Sequence, residues 1–428
     1  MLKTILSLAL ASSAASGEAA VPPGHADLAA LMAEADARSP EIAAARSRVA
    51  AAEAIPSQME ALPDPLVSVS FTNETFDEIT LGESEDSLLT ISWTQEVPNP
   101  GKRRLAGDAA RRETEVSSRR LDSVRLAVLS NIKQTYADLY RIDRTTVILA
   151  ENRTLLVSFL EAARARYEVG DGLLQNILKA QTEISKLDVE LAKFAQERLS
   201  AQAALNALVG RDSDEPLGPA LALPETAEAI DVAALEQEAL LLSPEILEME
   251  ATARRDDALL DLARRQGKPD LMWGAAYTNR GDLDPMVMGM FGVRLPLYKD
   301  RKQAQAIIQA EHELAGTKQE VLSVRLRILA QVRDLAARAG RAQAIERLYS
   351  EGVIAQARSA LESAAASYGV GRVDFLTLLS DFETLLGYEI DREVQRAERV
   401  TALAALERLT ARALVFPGPA PQESGVSR

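Results

Sequence analysis

Apolar positions along the chain follow two periods, and the two alternate twice. From about Lys102 to Tyr167, Leu121, Val128, Ile132, Leu139, Ile142, Leu149, Leu156 and Leu160 recur at spacings of three, four and seven. That spacing lines one side of a helix packed against another. The stretch has no proline and one glycine, Gly107, so one helix of roughly 100 Å is predicted at 1.5 Å per residue. A helix over about Leu173 to Val209 carries Ile177, Ile184, Leu187, Leu191, Phe194, Leu205 and Leu208 in the same phase. The two should form a hairpin. The pattern returns from about Arg301 to Ser367 outward and Val373 to Leu414 back. Gly316, Gly340 and Gly352 are expected to mark bends or register shifts in it.

Each hairpin has a glycine-bearing tip. The first reads Tyr167-Glu168-Val169-Gly170-Asp171-Gly172-Leu173-Leu174, the second Tyr368-Gly369-Val370-Gly371-Arg372-Val373-Asp374-Phe375-Leu376. Glycine tolerates the positive φ that reverses a chain tightly.

The second period is two, the period of a strand with unlike faces. From Leu66 to Asn73, Val67, Val69 and Phe71 share a face against Ser68 and Ser70. From Leu88 to Val97, Leu89, Ile91, Trp93 and Val97 oppose Thr90, Ser92, Thr94 and Glu96. The second half repeats this with Leu271 to Asn279 and, after a loop over Arg280 to Pro285, Met286 to Leu297. Leu271, Trp273, Ala275 and Tyr277 share one face there, and Val287, Phe291, Val293 and Leu295 another. Strands of about ten residues with one apolar and one small or polar face suit a transmembrane β-barrel. A half-buried soluble hairpin has the same local pattern. Four strands cannot close a barrel alone, and an open edge is not viable in lipid. A membrane barrel therefore needs several chains.

Other signals mark an internal repeat. Ser39-Pro40-Glu41-Ile42 recurs as Ser243-Pro244-Glu245-Ile246, each reading as a capped helix start. A short helix precedes the first, from about Asp27 to Ala37, and another the second, near Val232 to Leu242. Lys3, the apolar or small run Thr4 to Ala15 and Gly17-Glu18-Ala19 read as a secretory signal. The organisation expected is a signal over 1–19, a first repeat over 20–210, a linker over 211–242, a second repeat over 243–415 and a disordered tail over 416–428.

Composition narrows the function. Net charge is −15, which argues against a nucleic-acid partner. There is no cysteine, and the two histidines, His25 and His312, lack ligand spacing. No catalytic set, metal site or cofactor site is expected, so the chain reads as a conduit and not an enzyme. Met286, Met288 and Met290 share a strand face. Thioethers suit soft ions such as Cu(I), although methionine more often simply fills such a face.

In this order, duplicated, the Tyr-x-Val-Gly tips, the Pro63-Asp64-Pro65 lead-in and the Gly101-Lys102-Arg103-Arg104 turn resemble the TolC-type outer-membrane efflux proteins. The last two elements look most like the heavy-metal branch serving RND-type pumps. The resemblance implies a mainly α fold with a membrane β part. Four strands per chain would close a twelve-stranded barrel in a homotrimer, over a periplasmic helical tunnel. It implies location in the outer membrane in contact with lipid, and partnership with a periplasmic adaptor (membrane fusion) protein and an inner-membrane RND-type pump. Val169, Gly170, Val370 and Gly371 would dock the adaptor.

In such proteins tyrosine, arginine and aspartate links just after the inner tip narrow the entrance. Tyr368 matches the tyrosine, and Arg372 is the nearest arginine, one residue early. In ungapped register the family aspartates fall on Thr377 and Ser380, whereas this chain has Asp374 and Asp381. The resemblance implies that Asp374 or Asp381, with Tyr368 and Arg372, sets closure and cation preference. The plainer reading makes both acids exposed tip charges. Two other functions fit parts of the pattern: a type I protein secretion duct, and a periplasmic coiled-coil scaffold or adaptor without membrane strands.

Overall fold

A computed structural model of the chain describes residues 24–416. The expected signal over 1–19 and, Phe416 apart, the expected tail lie outside the described residues. Helix α1 (Leu28–Arg38) starts on Asp27, whose carboxylate accepts from the Ala29 amide at 3.0 Å. Helix α2 spans Pro40–Glu53, and Pro56 sits at the start of a short α3, Ile55–Glu60. Strands β1 (Leu66–Thr72) and β2 (Leu88–Val97) lead into α4, an unbroken helix over Pro100–Glu168. Helix α5 (Leu174–Val209) returns. After the linker strand β3 (Glu225–Thr226) come α6 (Val232–Leu242) and α7 (Pro244–Arg265). Strands β4 (Asp270–Arg280) and β5 (Leu283–Arg294) lead to α8 (Gln303–Leu348). A π-helical turn at Tyr349–Val353 joins α8 to α9 (Ile354–Gly369). Helix α10 (Phe375–Thr410) returns, and β6 (Val415–Phe416) pairs with β3.

Three expectations need correction. Gly352 lies in the π turn, but Gly316 and Gly340 lie inside regular α8. A lone glycine weakens a helix without bending it; an inserted residue changes its register. Ser39 and Ser243 occupy N-cap positions, yet neither side chain makes a cap bond. Both precede proline, which holds them extended (ψ 124° and 120°), and their carbonyls accept from Ala43 and Leu247 instead. The last strand begins at Leu283 and ends at Arg294, because the chain turns tightly at Gly281, φ +67°. The Asn279 side chain accepts from the Gly281 amide at 2.7 Å. Asp284 and Pro285 face one residue of β4 across a register shift, a bulge that makes no demand on proline's missing N–H.

The four long strands form one antiparallel sheet in the order β1-β2-β4-β5. Its register carries the alternation across every pair. Val67 faces Trp93, Trp93 faces Ala275, and Ala275 faces Gly289. Val69, Ile91, Tyr277 and Val287 make a parallel row. The side chains of this face are exposed, Val287 at 83% and Phe291 at 72%. The opposite face is built of Ser68, Ser92, Ala276 and their neighbours, and its residues on β2 and β4 are less exposed. The sheet thus has one exposed apolar face and, on its central strands, a second face that is smaller, more polar and less exposed. Ser68 and Ser92 hydroxyls meet there at 2.7 Å, and Thr90 and Thr278 at 3.0 Å. The outer edges of β1 and β5 pair with no strand among the described residues.

Below the sheet, α4 packs against α7 near its start and against α5 toward its end, and α8 packs against α7 and α10. Leu149, Leu156 and Phe159 of α4 join Ile177 and Leu187 of α5, Leu361 of α9 and Phe382 of α10 in one core. The two hairpins therefore pack side by side down to their tips. Midway, Lys133 of α4 is buried against Glu407 of α10 at 2.5 Å. Glu407 also accepts from the Leu414 and Val415 amides, and Lys133 donates to the Val415 carbonyl. A buried charge is tolerable only when paired and fully hydrogen-bonded; here that arrangement fixes the segment that leads into β6. No helix among the described residues is long and apolar enough to cross a membrane.

Candidate functional site

Both tips are built alike. Gly170 and Gly371 adopt φ of +84° and +77° immediately after a helix end. The Gly170 amide donates to the Tyr167 carbonyl and the Asp171 amide to that of Arg166, at 3.0 and 2.9 Å. At the second tip Gly371 donates to Tyr368 and Arg372 to Ser367, at 3.1 and 2.9 Å. This pair of bonds is a Schellman motif, whose left-handed residue is glycine because a Cβ is penalised there. The valine before each glycine points outward: Val169 is 74% exposed and Val370 71%. Leu173, Leu174 and Leu376 are exposed beside them. The tips therefore present an apolar surface to whatever lies beyond.

Inside the tips the arrangement differs from expectation. Tyr368 is buried, its ring edge-on to Phe375 at 5.6 Å. The arginine that engages it is Arg166 of α4. The Arg166 guanidinium lies over the Tyr368 ring at 5.0 Å, and Nη1 donates to the Tyr368 carbonyl at 2.7 Å. Nη2 donates to the Asp171 carbonyl at 3.3 Å. One side chain thus ties the two tips together. Burial pushes the Tyr368 hydroxyl above its usual range, against the pull of Arg166. The Asn176 amide lies beside that hydroxyl, which has no partner in ordinary hydrogen-bond geometry among the described residues.

Arg372 is exposed and makes no ion pair among the described residues. Asp374 is the N-cap of α10: its carboxylate accepts from the Thr377 amide at 2.8 Å, and its bonds to Thr377 hold its pKa below the ordinary value. Asp381 is half-buried two turns further on, also without an ion pair among the described residues. Within one subunit these three do not join Tyr368. Arg166 escaped the sequence reading because an arginine in the last turn of a helix is ordinary, favoured by the carbonyl dipoles there. Only the packing of two hairpins 202 residues apart reveals its partner.

Met286, Met288 and Met290 lie opposite Thr278, Ala276 and Gly274. They therefore stand on the face of Ser68, Ser92 and Ala276, which Met272 shares, and are themselves 46–56% exposed.

Comparison with known proteins places this architecture. The family model described as outer membrane efflux protein matches residues 31–211. The outer membrane efflux protein BepC of Brucella suis is 23% identical over 282 residues, 65% of this chain and 61% of that protein. The alignment thus spans about three-fifths of that relative's length. The outer membrane protein VceC of Vibrio cholerae superposes with a TM-score of 0.75 at 20% identity, covering 91% of this chain and 99% of the other. The CmeC outer membrane channel of Campylobacter jejuni gives 0.76 at 15% identity, covering 92% and 87%. At such identities the likeness is one of fold.

Proposed function

We propose that the chain is a TolC-type member of the outer membrane efflux protein family and the exit duct of a tripartite efflux system. It sits in the outer membrane with its helices in the periplasm, and it is a passive conduit rather than an enzyme. The observation that carries the duct reading is the four-stranded sheet, with one exposed apolar face and an opposite face of small and polar residues and methionines. An exposed apolar sheet face needs a cover, and lipid provides it. The free edges of β1 and β5 would pair between neighbouring subunits, since open edges are not sustained in lipid. Three copies of four strands make the twelve-stranded barrel of a homotrimer. A scaffold or adaptor without membrane strands leaves this sheet unexplained, and nothing specific favours a protein secretion duct.

The apolar tips would dock a periplasmic adaptor coupled to an RND-type pump, which supplies the energy. The aperture lies at the same end. Tyr368 holds it together with Arg166, while Arg372 and Asp381, and Asp374 beyond its cap bond to Thr377, would face neighbouring subunits. Three-fold symmetry would gather any inward carboxylate into a ring that attracts cations. Substrates of this duct are small toxic compounds or heavy-metal cations. The acidic chain favours cations, and the methionines on the face of Ser92 and Ala276 offer soft donors. If they only fill the face, Met→Leu changes at 286, 288 and 290 leave metal tolerance unchanged. The direct test of the duct is a planar bilayer. Purified protein should give discrete, long-lived conductance steps; a membrane left electrically silent by inserted protein rejects the reading.

A further inference from the structure

The two ends of the sheet carry opposite charge. At the end with the hairpin loops, residues 74–86 and 280–284 hold eight acids and one base, Arg280. At the end where the helices depart, residues 96–104, 264–270 and 294–302 hold ten bases and three acids. In a chain of net charge −15 this basic collar runs against the composition.

Part of the collar is used internally. Lys102 pairs with Asp270 at 2.8 Å, Arg294 pairs with Glu96, and Arg104 reaches Asp108 at 3.4 Å. Arg264 reaches Glu311 at 3.3 Å, Arg265 donates to Asn99, and Arg103 donates to the Glu60 carbonyl. Lys268, Lys299, Arg301 and Lys302 are different. All four are exposed, and none makes an ion pair among the described residues. Lys299 lies against the segment that carries Lys268: its Cε is 3.8 Å from where a Cβ on Gly267 would stand. The Lys299 side chain, past the end of β5, thus lies beside the backbone one residue before Lys268.

Their apolar neighbours give the setting. Between the last residue of β5 and Lys299 stand Leu295, Leu297 and Tyr298, exposed by 57%, 80% and 77%. Outward from the middle of the sheet the order is apolar strand face, then leucines and a tyrosine, then lysines and arginine. That is the order of a membrane–water interface, with amphipathic rings at headgroup depth and long cationic side chains reaching phosphate.

We propose that this collar, through Lys268, Lys299, Arg301 and Lys302, binds the phosphate headgroups of anionic phospholipids in the leaflet facing the helices. The proposal rests on the membrane reading above and adds a lipid class to it. Fixed cations near an anionic surface favour binding by an amount that grows with each lysine or arginine and falls with salt.

The test uses the full-length protein reconstituted into phosphatidylcholine vesicles with and without phosphatidylglycerol. Thermal unfolding and native mass spectrometry of retained lipid are the readouts. The wild type should retain phosphatidylglycerol over phosphatidylcholine by about tenfold or more at low salt, and should lose the preference at about 0.5 M salt. The combined variant Lys268→Gln, Lys299→Gln, Arg301→Gln, Lys302→Gln should lose it while still inserting and conducting. A control pair on the distant α5, Lys186→Gln with Lys193→Gln, should keep it. Equal retention of both lipids by inserted wild type overturns the proposal and leaves the duct standing. So does undiminished preference in the collar variant, or inorganic phosphate alone displacing the lipid. Failure to insert into either vesicle overturns the membrane reading and the collar together.

Discussion

Arg166 Nη1 donates to the carbonyl of Tyr368 at 2.7 Å while its guanidinium lies over the same residue's ring at 5.0 Å. One arginine on the first hairpin thereby holds the buried tyrosine of the second. A cation over an aromatic face contributes on the order of 0.5–2 kcal/mol, and a charged hydrogen bond about 1.5–3. Arg166→Ala should therefore raise the open fraction of single channels by about tenfold or more, since each 1.4 kcal/mol is a factor of ten. Tyr368→Phe keeps the ring and the carbonyl and should change the channel much less. Equal effects from both variants would move the contact to the hydroxyl.

Asp374 has a local task as well as a charge, and the two can be separated. Asparagine caps a helix about as well as aspartate, so Asp374→Asn keeps the start of α10 and removes only the charge. Asp374→Asn with Asp381→Asn should weaken block by divalent cations and leave thermal stability nearly unchanged. Undiminished block would make both acids ordinary exposed tip charges.

The tips give a prediction with an internal control. Gly170 has open space around it, whereas a Cβ on Gly371 would stand 3.2 Å from Arg166 Nη2. Both positions have positive φ, so any side chain costs on the order of 1–2 kcal/mol locally. Gly170→Trp should abolish export in cells while leaving trimer yield and bilayer conductance intact, because it alters only the docking surface. Gly371→Trp should abolish export and also raise conductance by disturbing Arg166. Normal export from both variants would remove the tips from adaptor docking.

Acid should loosen the middle of the molecule before its core. The Arg211 side chain, bonded to Glu34 at 2.5 Å, holds that carboxyl below its ordinary value of 4.5. Arg125 does the same for Asp36. A carboxyl whose folded pKa is depressed adds stability above its unfolded pKa and loses it as pH falls through the folded value. Melting temperature should be flat from neutral pH down to about 4.5 and decline below it. Glu34→Gln should lower the neutral plateau and shallow the acid decline. A decline beginning near pH 6 would point to other groups.

Much of this was legible in the sequence because it rests on short-range rules. The alternation of Val67, Val69 and Phe71 against Ser68 and Ser70 fixed a strand and its faces. The valine–glycine pairs at 169–170 and 370–371 located both tips. The unbroken periodicity from Leu121 to Leu160 located α4. What escaped was set by distant partners or by inserted residues. Pro285 looked like part of a loop, but a bulge admits it to β5. Gly352 looked like Gly316 and Gly340, and only the π turn separates them. Strands β3 and β6 are two residues each and exist only as each other's partner. Arg166 had no signal of its own, and the local motif at 368–381 drew the aperture toward Arg372.

The claim on which the rest depends is that β1 of one subunit pairs with β5 of the next. The chain has no cysteine, so an engineered pair reports that contact alone. Val69→Cys on β1 can be combined in turn with cysteine at Val287, Gly289 or Phe291 on β5, which carries the same sheet face. Paired strands hold opposed Cβ atoms about 4.5–5.5 Å apart, close enough for a disulfide in the matching register. Oxidation in native outer membranes should convert at least one combination to a covalent trimer on a denaturing gel, reversed by reductant and absent from either single variant. Monomers alone from every combination, in membranes where the protein is inserted, would contradict the closed trimeric barrel.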